Sequence, residues 1–165
     1  MVSLILSCDP GSRVTGWAFL NTAPLSYCDS GIIVLDQDNF WDKIRVLKAE
    51  IERLVTQYQP DVFVLEKAFV SLNKQTALKL AQIRGWSYGL VHHANCEYAE
   101  YSPREIKQQI TGYGAATKEQ VALMCQRLLP TCTRQSNHFD ETDAIAIGLC
   151  HALRARSPLY HLIGQ

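Results

Sequence analysis

The chain has 165 residues, with 16 Lys and Arg, 16 Asp and Glu, and a formal net charge of zero at pH 7. This length predicts one domain that can bury a core, and no apolar run approaches the roughly 18 residues of a membrane span. The six cysteines form no C-x-x-C pair and no charged leader precedes an apolar stretch, so the sequence predicts a cytoplasmic protein with reduced thiols, without a zinc ribbon or a secretory signal.

Three antiparallel strands are predicted at the start of the chain. Residues 3–9 form an apolar run that ends on Asp9, where Pro and Gly then break the strand. Residues 14–21 and 25–35 are rich in strand-forming residues, and the Pro-containing turn between them predicts a hairpin. A bulge is predicted at Ser30–Gly31 in the third strand.

A helix and a fourth strand follow. Apolar residues recur at spacings of three and four between residues 41 and 58, and Pro60 ends that helix. Residues 61–66 are a short apolar run that ends on Glu66, as the first strand ends on an acid. A helix followed by such a run predicts a strand that joins the sheet in parallel.

The next helical pattern covers residues 74–93 and contains Gly85 and Gly89, four residues apart. These glycines fit either close packing of the helix on the sheet or close approach of a second subunit. Residues 96–101 are predicted as a fifth strand.

Three helices complete the predicted elements. Capping boxes at Ser102 and Thr117 open two of them, which end near Gly112 and Pro130. The last helix covers residues 140–156.

Acidic residues stand at the ends of two predicted strands and at the start of the last helix. Asp140 and Asp143 are three residues apart, so both point to one side of the first helical turn. The helix dipole and capping would account for that pair alone. They do not explain why Asp9 and Glu66 also end two separate strands.

Four carboxylates converge if these two strands are adjacent and the last helix packs across them. Their repulsion requires a cation, and oxygen ligands suit Mg²⁺ or Mn²⁺. Two such ions about 4 Å apart would clamp both sides of an in-line displacement at phosphorus. His138, two residues before Asp140, fits either a proton carrier beside this site or a surface histidine.

Four motifs in the same order resemble the RuvC family of Holliday-junction resolvases. They are Asp9-Pro10-Gly11-Ser12-Arg13-x-Thr15-Gly16, Glu66 with Phe69, Ala77-Leu78-Lys79-Leu80 with Arg84-Gly85, and Asp140-x-x-Asp143-Ala144-x-Ala146-Ile147. The resemblance covers about residues 4–151. It implies an α/β, ribonuclease-H-like fold with a mixed five-stranded sheet, three antiparallel strands and then two parallel ones, flanked by helices. One nuclease domain would span residues 1–156, and residues 157–165 would form a C-terminal tail.

The resemblance also implies an activity. A homodimer would cut two opposed strands of a four-way DNA junction symmetrically and leave 5′-phosphate and 3′-hydroxyl ends, in homologous recombination and DNA repair. Each site would use two Mg²⁺ ions, with Mn²⁺ as a substitute, and a branch-migration motor would be a partner. A bacterial source would place the protein in the cytoplasm with the nucleoid; an organelle or a virus fits the sequence as well.

Site residues follow from the same resemblance. The metal ligands and catalytic residues would be Asp9, Glu66, Asp140 and Asp143, with Lys118 as a further catalytic residue. The DNA contacts would be Arg13, Phe69, Lys74, Lys79, Arg84, Lys107 and Lys118. Phe69 matches an aromatic residue at the junction centre, although a core Phe at a strand end fits equally. Lys67 departs from the family pattern, and it fits either an ion pair with Glu66 or a DNA contact.

The charge distribution leaves other classes open. Residues 1–66 carry five Lys or Arg against nine Asp or Glu, whereas residues 67–134 carry nine against four. The basic segment fits a DNA surface or chance among solvated charges. Zero net charge slightly favours a second interpretation, a junction-binding protein with weak or no cleavage. The complete set of four carboxylates argues against that interpretation.

A third interpretation is an ATP-using protein of the actin and hexokinase group. The short chain and the absence of a second phosphate-binding loop argue against it.

Overall fold

The computed structural model describes residues 3–67, 74–131 and 139–156. The elements in chain order are β1 Leu4–Pro10, β2 Val14–Thr22, β3 Leu25–Val34, α1 Phe40–Tyr58, β4 Val62–Glu66, α2 Lys74–His93, β5 Glu97–Tyr101, α3 Pro103–Thr111, α4 Lys118–Leu128 and α5 Phe139–Ala155. Every predicted strand and helix is confirmed, with small differences at the ends. Within the described ranges, no helix is both long and apolar enough to cross a membrane.

The five strands form one mixed sheet in the order β3-β2-β1-β4-β5. The pairs β1–β2 and β2–β3 are antiparallel, whereas β1–β4 and β4–β5 are parallel. This confirms the predicted arrangement of three antiparallel strands followed by two parallel ones. Cys8 pairs with Leu65 in the β1–β4 ladder, so the two acids that follow them leave the sheet side by side.

Helices cover both faces of the sheet. Side chains alternate between the faces along each strand, and apolar side chains on each face pack against helices. Ile5 of β1 packs with the apolar residues of α3, α4 and α5. Its neighbour Leu6 packs on the opposite face with residues of α1 and α2, including Leu54 and Ile83. Ser7 and Asp9 share the face of Ile5, so the carboxylate that ends β1 points to the α5 side.

Helix α5 lies directly on the central strands. Ser7 Oγ donates to the carbonyl oxygen of Ala144 at 2.7 Å, a contact that is buried in the core. A Cβ added to Gly148 would lie 2.6 Å from that same Oγ, so only a residue without a side chain fits there. The close approach fixes the first turns of α5 over the end of β1.

The predicted bulge at Ser30–Gly31 is wrong. Phe19 pairs with Asp29 and Leu20 pairs with Tyr27, so the extra residue in β3 is Cys28. Gly31 has a different role, because a Cβ there would lie 2.8 Å from the indole ring of Trp17. The glycine makes room for a neighbouring ring, and the backbone irregularity lies three residues earlier.

Packing on the sheet does not explain Gly85 and Gly89. Both residues are exposed, and an added Cβ at either position would meet nothing within 4 Å. Helix α2 reaches the core through Ile83 and Ser87 instead. The interpretation that these glycines bring α2 close to the sheet is therefore wrong, and they lie on an open face of the helix.

Candidate active site

A cavity of about 320 Å³ opens at the C-terminal ends of β1 and β4. Three carboxylates line it, from Asp9, Glu66 and Asp143, together with the side chains of Lys107 and Lys118. Its remaining walls are mostly apolar and come from α3, α4 and α5. The cavity thus combines three acidic side chains with two cationic ones.

Two features of the fold bring these acids together. Parallel pairing of β1 and β4 places Asp9 beside Glu66. The bond from Ser7 to Ala144 then holds α5 across the strands, and Asp143 precedes Ala144 in the chain. The predicted convergence is therefore present for three of the four acids.

Asp140 lies nearby but does not line the cavity. It is in the first turn of α5, where its backbone carbonyl packs against Gly16 of β2. Its charge still acts on the site, since it raises the pKa of Asp9, although less than the other acids do. The fourth acid is thus at the edge of the cluster.

The carboxylates strongly influence one another. Burial, followed by the charges of Glu66 and Asp143, raises the pKa of Asp9 to about 7, against an opposing effect of Lys118. Burial and then Asp143 also raise the pKa of Glu66, and the cations Lys118, Arg84 and Lys107 oppose that rise. Like charges held this close need positive charge among them.

Lys118 supplies positive charge within the cluster. Its Nζ donates to the Asp143 carboxylate, and this bond is the main cause of a raised pKa for the lysine. The backbone at Lys118 is fixed because Thr117 caps α4 and exchanges hydrogen bonds with Gln120. The lysine therefore starts from a rigid helix end and reaches into the cavity.

The donor chemistry of the site fits a hard divalent cation, because all the acidic ligands offer carboxylate oxygens. Among the described residues, however, no three His, Cys, Asp or Glu side chains are close enough together to hold an ion. The Lys118 ammonium contacts one of these acids, Asp143.

The other residues predicted to contact DNA do not all lie at the cavity. Arg13 is exposed beyond β1, and Lys107 lines the cavity from α3. Arg84 is turned inward and bonds within the protein. The structure does not describe Phe69, His138 or the side chains of Lys74 and Lys79.

Lys67 pairs with a residue that the sequence did not single out. Its Nζ lies 4.0 Å from Glu105 Oε2, and no pair with Glu66 is recorded among the described residues. Glu105 closes the capping box of α3 with Ser102, and its other oxygen accepts from Arg154 at 3.2 Å. This network ties the chain just after Glu66 to α3 and α5.

Two residues that position α5 were given no structural role in the sequence analysis. Ser7 anchors α5, and its only sequence signal is a hydroxyl in an otherwise apolar run. Gly16 admits the start of α5, but glycine in a strand has several explanations until the helix is placed.

Comparison with known proteins agrees with this geometry. The family model described as "Crossover junction endodeoxyribonuclease RuvC" matches residues 5–151. The RuvC of Chlorobium chlorochromatii is 42% identical over 159 residues, which cover 93% of this chain and 81% of that protein. The structure of Thermus thermophilus RuvC in complex with a Holliday junction substrate aligns with a TM-score of 0.83 at 23% identity, over 93% of this chain and 95% of that one. The yeast mitochondrial Holliday junction resolvase Ydc2 aligns with a TM-score of 0.68 at 13% identity, over 97% and 84%.

The sheet order and its covering helices define a ribonuclease-H-like fold of the resolvase type. The acids at the ends of β1 and β4, with Asp143 from α5, stand at the edge of that sheet. The chain belongs to the RuvC family of crossover junction endodeoxyribonucleases, a family of metal-dependent nucleases.

Proposed function

We propose that this protein is a Holliday-junction resolvase that cuts two opposed strands of a four-way DNA junction in homologous recombination and DNA repair. The observation that carries the proposal is the convergence of Asp9, Glu66 and Asp143 with Lys118 in one cavity of a RuvC-family chain. Each cut would hydrolyse one phosphodiester and leave a 5′-phosphate and a 3′-hydroxyl.

The ions of the site are proposed as two Mg²⁺, with Mn²⁺ as a substitute. Asp9, Glu66 and Asp143 would hold them, with Asp140 at the edge. When bound, such ions activate water and stabilise the leaving oxygen. Lys118 and Lys107 add positive charge where a phosphate would enter.

Two opposed cuts require two sites, and a homodimer supplies them. We place the dimer contact on the open face of α2, where Gly85 and Gly89 leave the backbone accessible. Leu78 is 67% exposed and Tyr88 is 47% exposed on the same helix, so apolar side chains are also available there. These features support the second-subunit interpretation of the glycines.

The remaining expectations rest on family membership. Residues 1–156 would act as one nuclease domain and residues 157–165 as a tail, consistent with the family match over residues 5–151. Arg13, Phe69, Lys74, Lys79, Lys107 and Lys118 are the proposed DNA contacts. A branch-migration motor would be the partner, and the bacterial cytoplasm beside the nucleoid the location.

The function is tested with a synthetic four-way junction, Mg²⁺ and mapping of both strands. We expect paired nicks at symmetric positions in two opposed strands, and no nicks in linear duplexes of the same sequence. Sedimentation of the protein without DNA should give twice the mass of the chain. Tight junction binding with no nicks in either ion would favour the junction-binding alternative.

Replacing Lys118 by Ala should slow cutting by about 10²-fold while junction affinity falls only a few-fold, because one cation is removed from the reacting centre. Single-turnover rates and a binding assay without divalent ions separate the two effects. Lys48→Ala is the matched control, since Lys48 pairs with Glu52 on the exposed surface of α1. An unchanged rate in the Lys118 variant would remove this lysine from the site.

A further inference from the structure

Arg84 is a predicted DNA contact, but its side chain is largely buried and bonded within the protein. Its Nη2 donates to the backbone carbonyl of Glu66 and, at 2.8 Å, to Glu100 Oε1. The Arg84 side chain is only 14% exposed and that of Glu100 20%. A guanidinium this enclosed and already paired has little surface left for a DNA phosphate.

The partner carboxylate is itself held from a second side. Tyr98 OH donates to Glu100 Oε1 at 2.6 Å, and the Tyr98 ring packs on Tyr88 of α2 at a centroid distance of 4.2 Å. Glu100 is therefore oriented by its own strand and by α2. An oriented acceptor fixes where the guanidinium lies.

The Arg84–Glu100 pair lies beside the last residue of β4. Glu66 pairs with Tyr101 in the β4–β5 ladder, and the N–H of Lys67 donates to the Tyr101 carbonyl at 2.8 Å. Arg84 adds a bond from α2 to the Glu66 carbonyl, so β4 is held from both the strand and the helix side. The Glu66 carboxylate leaves from this same residue and enters the cavity.

We propose that Arg84 and Glu100 form a clamp that positions the Glu66 carboxylate in the active site, and that Arg84 does not contact DNA. Arg84 is thus a positioning residue that acts through Glu66. The inference rests on the proposed nuclease function. Residues that orient a metal ligand from outside commonly change activity or metal affinity by about 10–100-fold when removed.

The test compares Arg84→Gln, Glu100→Gln and the double variant. We expect each single change to slow single-turnover cutting by about 10–100-fold. The double variant should be no slower than the worse single variant, because the two residues act as a unit. Junction affinity without divalent ions, and its dependence on salt, should match the wild type.

A phosphate contact makes opposite predictions. Arg84→Gln would then lower the slope of log affinity against log salt by about 0.9. Glu100→Gln would leave cutting unchanged or improve binding. Arg84→Lys separates the two cases further, because it keeps the charge of a phosphate contact but lacks the planar guanidinium of the clamp. We expect that variant to cut slowly.

Two further measurements show whether slow cutting comes from lost positioning of Glu66 or from misfolding. Tyr98→Phe removes one bond to Glu100 without changing charge, and it should slow cutting less than Arg84→Gln in a protein that melts near the wild-type temperature. Mn²⁺ affinity, measured without DNA, should fall in the clamp variants. Arg53→Gln is the control, because Arg53 forms an exposed pair with Glu50 on α1.

The outcomes separate this inference from the function on which it rests. A wild-type protein that does not cut junctions would contradict the proposed function. A wild type that cuts, with clamp variants that cut and bind Mn²⁺ equally well, would overturn the clamp alone. A reduced salt slope in Arg84→Gln would also overturn it.

Discussion

Asp9→Asn should lower the single-turnover rate of junction cutting by about 10³-fold or more, equivalent to about 4 kcal/mol of barrier. Asp9 shares the cavity with Glu66 and Asp143, and burial and these neighbours raise its pKa to about 7. Asn has nearly the same shape but cannot supply a charged ligand oxygen. The change therefore removes ligand charge and leaves the packing of β1 intact.

Junction affinity and thermal stability of the Asp9→Asn variant show whether its loss of cutting comes from the reaction step or from weaker binding or folding. Junction affinity without divalent ions should stay within a few-fold of wild type, and thermal stability should not fall, since like-charge repulsion in the cavity is relieved. The stabilisation that wild type gains from Mn²⁺ should shrink in the variant. Asp36→Asn, on the exposed surface after β3, is the matched control. Cutting that survives in Asp9→Asn would contradict the assignment of the metal site.

Gly16→Ala should destabilise the protein by about 3 kcal/mol or more. An added Cβ would lie 1.9 Å from the carbonyl oxygen of Asp140 and 2.4 Å from its carbonyl carbon. Both are backbone atoms, so no side chain can rotate away, and either α5 or β2 must move. Cutting should fall more than tenfold even where the variant is folded, because α5 carries Asp143.

Denaturant unfolding and single-turnover cutting measure the two effects of Gly16→Ala. Gly114→Ala is the matched control, since its Cβ would meet Arg104 Cγ at 2.9 Å, an atom of an exposed and movable side chain. The control should cost less than about 1 kcal/mol. Stability of Gly16→Ala within 1 kcal/mol of wild type would show that α5 does not lie against β2 as described.

Local signals in the sequence were sufficient for the elements of the fold. Changes of apolar period located the strands and helices, and the capping boxes at Ser102 and Thr117 set the starts of α3 and α4. The bulge escaped because Cys28 has none of the backbone freedom that marks such sites, whereas Gly31 has it for another reason. A glycine in the sequence shows that the backbone is free to bend or be approached closely there, but it does not show which of these the fold uses.

The acids of the site were predictable from their places at two strand ends and at the start of the last helix. Asp9 and Glu66 could be placed together because adjacent parallel strands end at one edge. The inward orientation of Arg84 could not be predicted, because a cation on a helix within a basic segment looks like any surface charge. Its role depends on the position of the Glu66 carbonyl, which only the packing of α2 reveals.

The bond between Ser7 and Ala144 joins residues 137 positions apart. A chain leaving the ribosome thus exposes Asp9 and Glu66 well before Asp143 has been synthesised. Until α5 docks, the nascent protein lacks one wall of the cavity and one of its carboxylates. The acids of the site therefore come together only after the last helix of the chain has been synthesised and has docked on β1.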